Sequence, residues 1–282
     1  MSVGQETDYF DKQYNLRARH PDHPAFFERY RSESARVRGA LGGRLDVPYG
    51  PSPDEALDIF PASSAKAPVH VFIHGGYWRS LDKRDFSYVA EPFVAAGAAV
   101  VVVNYALAPR VTLDEIVRQN CAALAWIYRN AGSFGGDPDR LFVSGHSAGG
   151  HLTAMMLVTD WRALGLPADL VKGGCAISGV FDLDPMLATS INADVRLDRA
   201  GAARNSPIRH MPDRASPMIA AVGANETDEF VRQSREFAAA WQARGLPGEY
   251  LALPGLHHFD IILELGKADA PLTRTMLVLM TG

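Results

Sequence analysis

The sequence predicts an α/β domain, a mostly parallel sheet covered by helices on both faces and spanning all 282 residues. Three observations predict it. Short apolar, β-branched runs, such as 69–73 and 98–103, alternate along the chain with longer segments of helical period. The run 141–143 leads through a glycine-rich corner straight into good helix formers at 151–157. With 47% hydrophobic and 21% charged residues, the composition is that of a globular protein long enough to bury a sizeable core.

In chain order, residues 1–40 read as an N-terminal arm, polar with interleaved aromatics. It has a turn at 20–24 and a helix over 25–37. Packing over the domain is one role for the arm; closing a site, with Tyr14 and Asn15 near substrate, is the other. Segments 44–49 and 56–60 alternate around the turn Gly50-Pro51-Ser52-Pro53-Asp54, which predicts an antiparallel edge hairpin. A buried strand over 69–73, a helix over 83–96, a central strand over 98–103 and an amphipathic helix over 113–129 follow. Beyond the turn 136–140 come the strand 141–143 and its helix, then a strand over 174–180. Residues 182–211, bracketed by Pro185 and Pro207, read as a lid or cap insertion. A strand over 217–222, a helix over 228–244, a strand over 249–253 and a closing helix from 259 complete the chain.

The corner Gly145-His146-Ser147-Ala148-Gly149 has the G-x-S-x-G spacing of a nucleophile elbow. Glycines flank the corner because backbone passes close to backbone there, and the serine hydroxyl is presented above the sheet. His74-Gly75-Gly76-Tyr77-Trp78 ends an earlier strand. The N–H groups of Gly75, Gly76 and Ala148 are the candidate oxyanion donors. A histidine titrates nearest neutral pH and is the expected base. His146 and His151 flank the elbow, whose geometry turns them away from Oγ, so they are read as packing residues. His257 and His258 follow the last strand; His258 is the preferred base, and His257 is the alternative base or else a loop histidine on the pocket rim. The acid should follow the strand 217–222, where Glu226 lies nearest the strand end and is preferred to Asp228. Asp228 and Glu229 suit the first turn of a helix on dipole grounds alone. Tyr77, Trp78 and Phe181 are candidates to bind substrate or, equally, to pack the core.

On these residues the chain resembles the α/β-hydrolases of the hormone-sensitive-lipase-like group, and within it the kynurenine formamidase (arylformamidase) family. The resemblance is carried by His74-Gly75-Gly76-Tyr77-Trp78, Gly145-His146-Ser147-Ala148-Gly149-Gly150-His151-Leu152 and Ile177-Ser178-Gly179-Val180-Phe181-Asp182-Leu183. Glu229-Phe230-Val231-Arg232-Gln233-Ser234, His258-Phe259-Asp260-Ile261-Ile262 and the opening Tyr14-Asn15-Leu16-Arg17 extend it over nearly the whole chain. It implies an α/β-hydrolase fold with a short lid, and a Ser147–His258–Glu226 triad working through an acyl-enzyme. The implied substrate is N-formyl-L-kynurenine, in tryptophan catabolism, with a carboxylesterase or another aryl amidase or carbamate hydrolase as the alternative. The family has aspartate where this sequence has Glu226.

Other classes are not expected. Scattered histidines without an H-E-x-x-H or C-x-x-C pair argue against a metal, and no cofactor is expected. A net charge of −4 with mixed signs argues against nucleic acid and acidic membranes. Residues 1–14 lack the basic start and apolar stretch of a signal peptide, and no apolar run nears the ~20 residues of a membrane span. Cys121 and Cys175 read as small buried hydrophobes of a reducing cytoplasm. The expected partner is a small-molecule substrate, with a homodimer left open.

Overall fold

The computed structural model describes residues 3–281. Its centre is an eight-stranded sheet: β1 (Arg44–Pro48), β2 (Ala56–Phe60), β3 (Ala67–Ile73), β4 (Ala99–Val103), β5 (Gly136–His146), β6 (Val171–Ile177), β7 (Met218–Gly223) and β8 (Gly248–Leu253). The order is β1-β2-β4-β3-β5-β6-β7-β8, antiparallel at β1–β2 and β2–β4 and parallel from there on.

The pleat of the central strands sorts their side chains into two cores. In β4, Ala99, Val101 and Val103 face one core, while Val100 and Val102 face the other. This is why the strand is apolar without interruption: both its faces are covered. The first core is closed by α5 (Leu113–Asn130), α6 (Ala148–Val158) and α9 (Asp228–Ala243), through residues such as Ile116, Leu152 and Phe237. The second is closed by α3 (His23–Leu41), α4 (Ala90–Ala95), α10 (Ile261–Glu264) and α11 (Pro271–Thr281), through Tyr30, Phe93, Ile262 and Met276. Thr112 caps α5 by accepting the Glu115 N–H at 3.3 Å.

Several boundaries differ from those the sequence predicts. The segment 83–96 is two 3₁₀ turns, Lys83–Asp85 and Ser87–Val89, before α4. Asp82 accepts the Arg84 N–H while Asp85 reaches back to the Asp82 N–H, so a capping box closes after one turn. The turn expected at 136–140 is instead the first part of β5, where Gly136 pairs with Ala67. The strand expected over 174–180 stops at Ile177, because Ser178 adopts φ +50°. The closing helix is two helices, α10 and α11, interrupted around Gly266.

The N-terminal arm is helical: α1 (Val3–Tyr14), α2 (Leu16–Arg19) and α3. The insertion 182–211 holds two short helices, α7 (Asn192–Val195) and α8 (Arg199–Arg204), between 3₁₀ turns. It is tied to the arm by the Ser190 N–H to Asp11, 2.7 Å, and to α5 by Arg204–Asp114, 2.9 Å. Among the described residues, no helix is long and apolar enough to cross a membrane.

Candidate active site

Ser147 stands between the end of β5 and the start of α6 with φ +59° and ψ −118°, a conformation that side chains rarely adopt. The turn can be this tight because α6 comes up against the end of β3. A Cβ on Gly149 would lie 2.0 Å from the Ile73 carbonyl oxygen. The Ser147 N–H donates to the Ile177 carbonyl at 2.8 Å, which pins the corner to the neighbouring strand.

The loop after β3 lies against this corner. A Cβ on Gly75 would meet the His146 carbonyl oxygen at 2.6 Å and the Ser147 Cβ at 3.1 Å, so only glycine allows the approach. His74 is buried, its ring stacked on Tyr105 at 4.3 Å, and its Nδ1 donates to the Gly75 carbonyl at 2.8 Å. The Tyr105 hydroxyl donates to the His74 carbonyl at 2.8 Å. In a trans peptide the N–H points opposite the carbonyl. Fixing these two carbonyls therefore directs the N–H groups of Gly75 and Gly76 away from the His74–Tyr105 stack. Ala148 opens α6, where the first N–H groups have no partner within the helix.

His258 is buried and its Nδ1 donates to Glu226 Oε2 at 2.7 Å, which leaves Nε2 as the nitrogen available to a substrate-facing group. The other carboxylate oxygen, Oε1, accepts the Gly223 N–H at 2.9 Å and the Ser178 hydroxyl at 2.5 Å. Of the three acids in this loop, Glu226 is the one in contact with the histidine. Asp228 is exposed, and Glu229 accepts from the Tyr14 hydroxyl at 3.0 Å and pairs with Arg232 at 2.7 Å. His257 turns to the arm instead, its ring stacked on His20 at 4.4 Å.

Ser147 and His258 line one cleft, walled by Leu16, Arg17, Phe27, Tyr30, Gly76, Tyr77, Leu81, Phe86, His146 and Phe259. Three expectations need correcting here. Trp78 and Phe181 do not border this cleft. Trp78 is fully buried and donates its indole N–H to His151 Nδ1 at 3.2 Å, and Phe181 stacks on Phe237 at 4.3 Å. Both are large apolar groups taken up by the first core; of the three aromatics, only Tyr77 borders the cleft. The roof comes from the arm and not from 182–211, none of whose residues line the cleft. Within the arm, Leu16 and Arg17 reach the cleft, while the Tyr14 side chain points into the domain and bonds Glu229 and Gln233. Asn15 caps α2, accepting the Ala18 N–H at 3.4 Å.

The sequence reading missed two residues. His146 borders the cleft with its ring 4.6 Å from that of His258. Burial, with His258 alongside, holds its pKa well below the ordinary value, so it is a neutral neighbour of the base. Ser178, which orients Glu226, gave no signal of its own beyond a position next to a strand end.

The chain matches the BD-FAE family over residues 57–240. It is 34% identical to the kynurenine formamidase of Danio rerio over 88% of this chain and 85% of that protein. The chain belongs to the kynurenine formamidase-like α/β-hydrolases. Members of the wider group include the esterase LipQ of Mycobacterium tuberculosis, 31% identical over 77% of this chain and 57% of that protein. A solved structure from Silicibacter sp., provisionally called a thioesterase, superposes with a TM-score of 0.84 at 28% identity, covering 95% of this chain and 98% of that one. The α/β-hydrolase fold expected from the sequence is the fold observed, and the chain is a hydrolase of the amidase and esterase kind, acting on small acyl substrates.

Proposed function

We propose that this chain is a serine hydrolase that deformylates N-formyl-L-kynurenine to L-kynurenine and formate in the cytoplasm, as a step of tryptophan catabolism. The observation that carries the reading is the Glu226–His258 contact of 2.7 Å at the wall of the cleft that Ser147 also lines. The likeness to kynurenine formamidases over most of the chain supports this choice of substrate.

In this reading Ser147 Oγ attacks the formyl carbon while His258 Nε2 takes its proton. Negative charge collects on the formyl oxygen and is met by the N–H groups of Gly75, Gly76 and Ala148, each such donor worth ~3 kcal/mol. The C–N bond then breaks, the proton passes from His258 to the departing aryl amine, and a formyl ester remains on Ser147. Water, deprotonated by His258, attacks that ester; formate leaves and the proton returns to Oγ. Glu226 keeps the imidazole proton on Nδ1 throughout and balances the transient imidazolium.

The second reading, a carboxylesterase with the same machinery, is favoured by the likeness to LipQ. A substrate panel separates the two. A kcat/KM for N-formyl-L-kynurenine well above that for p-nitrophenyl acetate is expected, and the reverse order overturns the formamidase reading. Ser147→Ala should abolish both activities and labelling by a fluorophosphonate probe.

A further inference from the structure

We infer that Arg17 is a specificity residue, the site at the cleft mouth that binds a carboxylate carried by the substrate. The inference rests on the reading of the cleft as the place where substrate is cleaved, and it adds the residue that recognises the substrate's carboxylate. Arg17 is the one permanently charged side chain among the residues lining the cleft, whose other walls are mostly apolar or aromatic. Its guanidinium is held from two sides. One Nη2 donates to the Ser80 hydroxyl at 2.8 Å, and the group lies 5.5 Å from the centre of the Phe27 ring.

Ser80 in turn donates to the Gly76 carbonyl at 3.0 Å, which links the guanidinium to the candidate oxyanion loop. Among the described residues no carboxylate pairs with Arg17, whereas its neighbour Arg79 is paired with Asp194. A guanidinium carries five N–H donors in a planar fork. Here the fork is oriented by a neutral hydroxyl and an aromatic face, and most of its donors remain uncommitted. Burial, and behind it the nearby Arg79 cation, holds the Arg17 pKa below its ordinary value. An anion entering at Arg17 fills the open side of the fork, and a carboxylate fits it with two parallel bonds.

The test is a ratio, so general damage to the enzyme cancels. Deformylation of N-formyl-L-kynurenine and of its carboxamide, which lacks the negative charge, is compared in the wild type, Arg17→Gln and Arg17→Lys. The wild type should prefer the carboxylate. Arg17→Gln should cut that preference by about tenfold or more, chiefly through KM, with Arg17→Lys recovering part of it. A wild type without preference, or a preference that Arg17→Gln leaves intact, overturns the inference. If neither formamide is turned over while p-nitrophenyl acetate is, the formamidase reading fails by itself. Arg17 is then judged by the same ratio on mono-p-nitrophenyl succinate against p-nitrophenyl butyrate, under the same two criteria.

Discussion

Replacing Glu226 by glutamine is the sharpest probe of the proposed triad, because the surroundings dictate how the new amide must lie. In the native site Oε1 accepts two hydrogen bonds, from the Gly223 N–H at 2.9 Å and the Ser178 hydroxyl at 2.5 Å, while Oε2 accepts from His258 Nδ1 at 2.7 Å. The glutamine carbonyl oxygen will occupy the Oε1 position. Turning the amide round would set its NH₂ against a buried backbone N–H and cost about 1–3 kcal/mol. The NH₂ then faces His258 and donates to Nδ1, which moves the imidazole proton to Nε2. That nitrogen can no longer take a proton from Ser147. The expected loss in kcat is about 10³- to 10⁴-fold, the scale seen when a triad histidine is held in the wrong tautomer. Shape is nearly conserved, so the melting temperature should move little beside the loss of activity. The assay is steady-state hydrolysis of the best substrate, with Asp228→Asn in parallel, which should stay within about threefold because Asp228 is exposed and does not reach the histidine. A Glu226→Gln enzyme within tenfold of wild type, or a collapse in Asp228→Asn instead, refutes the reasoning.

Gly149→Ala should lower the melting temperature by several degrees and depress activity with it, because its methyl group would lie 2.0 Å from the Ile73 carbonyl, a backbone atom with no room to move. Differential scanning fluorimetry reads this directly. Tyr14→Phe removes the hydroxyl that donates to Glu229 and accepts from Gln233, and should cost about 1–3 kcal/mol in urea unfolding. Acid should weaken the fold. Burial holds His70 down to about 3 and His151 to about 4, against 6.5 when unfolded. The unfolded chain therefore gains protons below pH 6.5 that the folded chain refuses. The stability from these two residues is complete above 6.5 and is lost as pH falls towards 4, by up to ~1.4 kcal/mol per pH unit for each. A melting temperature that stays level between pH 7 and pH 5 would contradict this.

What the sequence revealed, and what it hid, follows from how local each signal is. The elbow is a contiguous five-residue pattern, so Ser147 could be located directly, although Gly149 is demanded by the distant Ile73 carbonyl. The central strands were legible because β4 is buried on both faces and its composition says so. The acid was harder: Glu226, Asp228 and Glu229 lie within four positions, and what distinguishes Glu226 is its contact with Ser178, just past the end of the neighbouring strand β6 and 48 residues away in sequence. Trp78 and Phe181 went astray for a similar reason. An aromatic residue beside a motif looks the same in sequence whether it lines a cleft or fills a core, and only the partners His151 and Phe237 decide. The roof of the cleft was the least legible feature, because Leu16, Arg17 and Phe27 reach Ser147 across more than a hundred residues with no periodicity to announce it.

The way the amino-terminal segment is fastened has a practical consequence. The Gln13 carbonyl takes a hydrogen bond from Thr227, immediately after Glu226, and the Tyr30 hydroxyl donates to the carbonyl of Phe259, immediately after His258. The leading helices thus clasp both loops on which proton transfer would depend. A protease nick or an ill-placed affinity tag near the start of the polypeptide would uncover the cleft and, in the same event, loosen the two side chains that must stay in register. Preparations trimmed at that end should look folded and behave as nearly inert, a loss easily mistaken for the wrong choice of substrate.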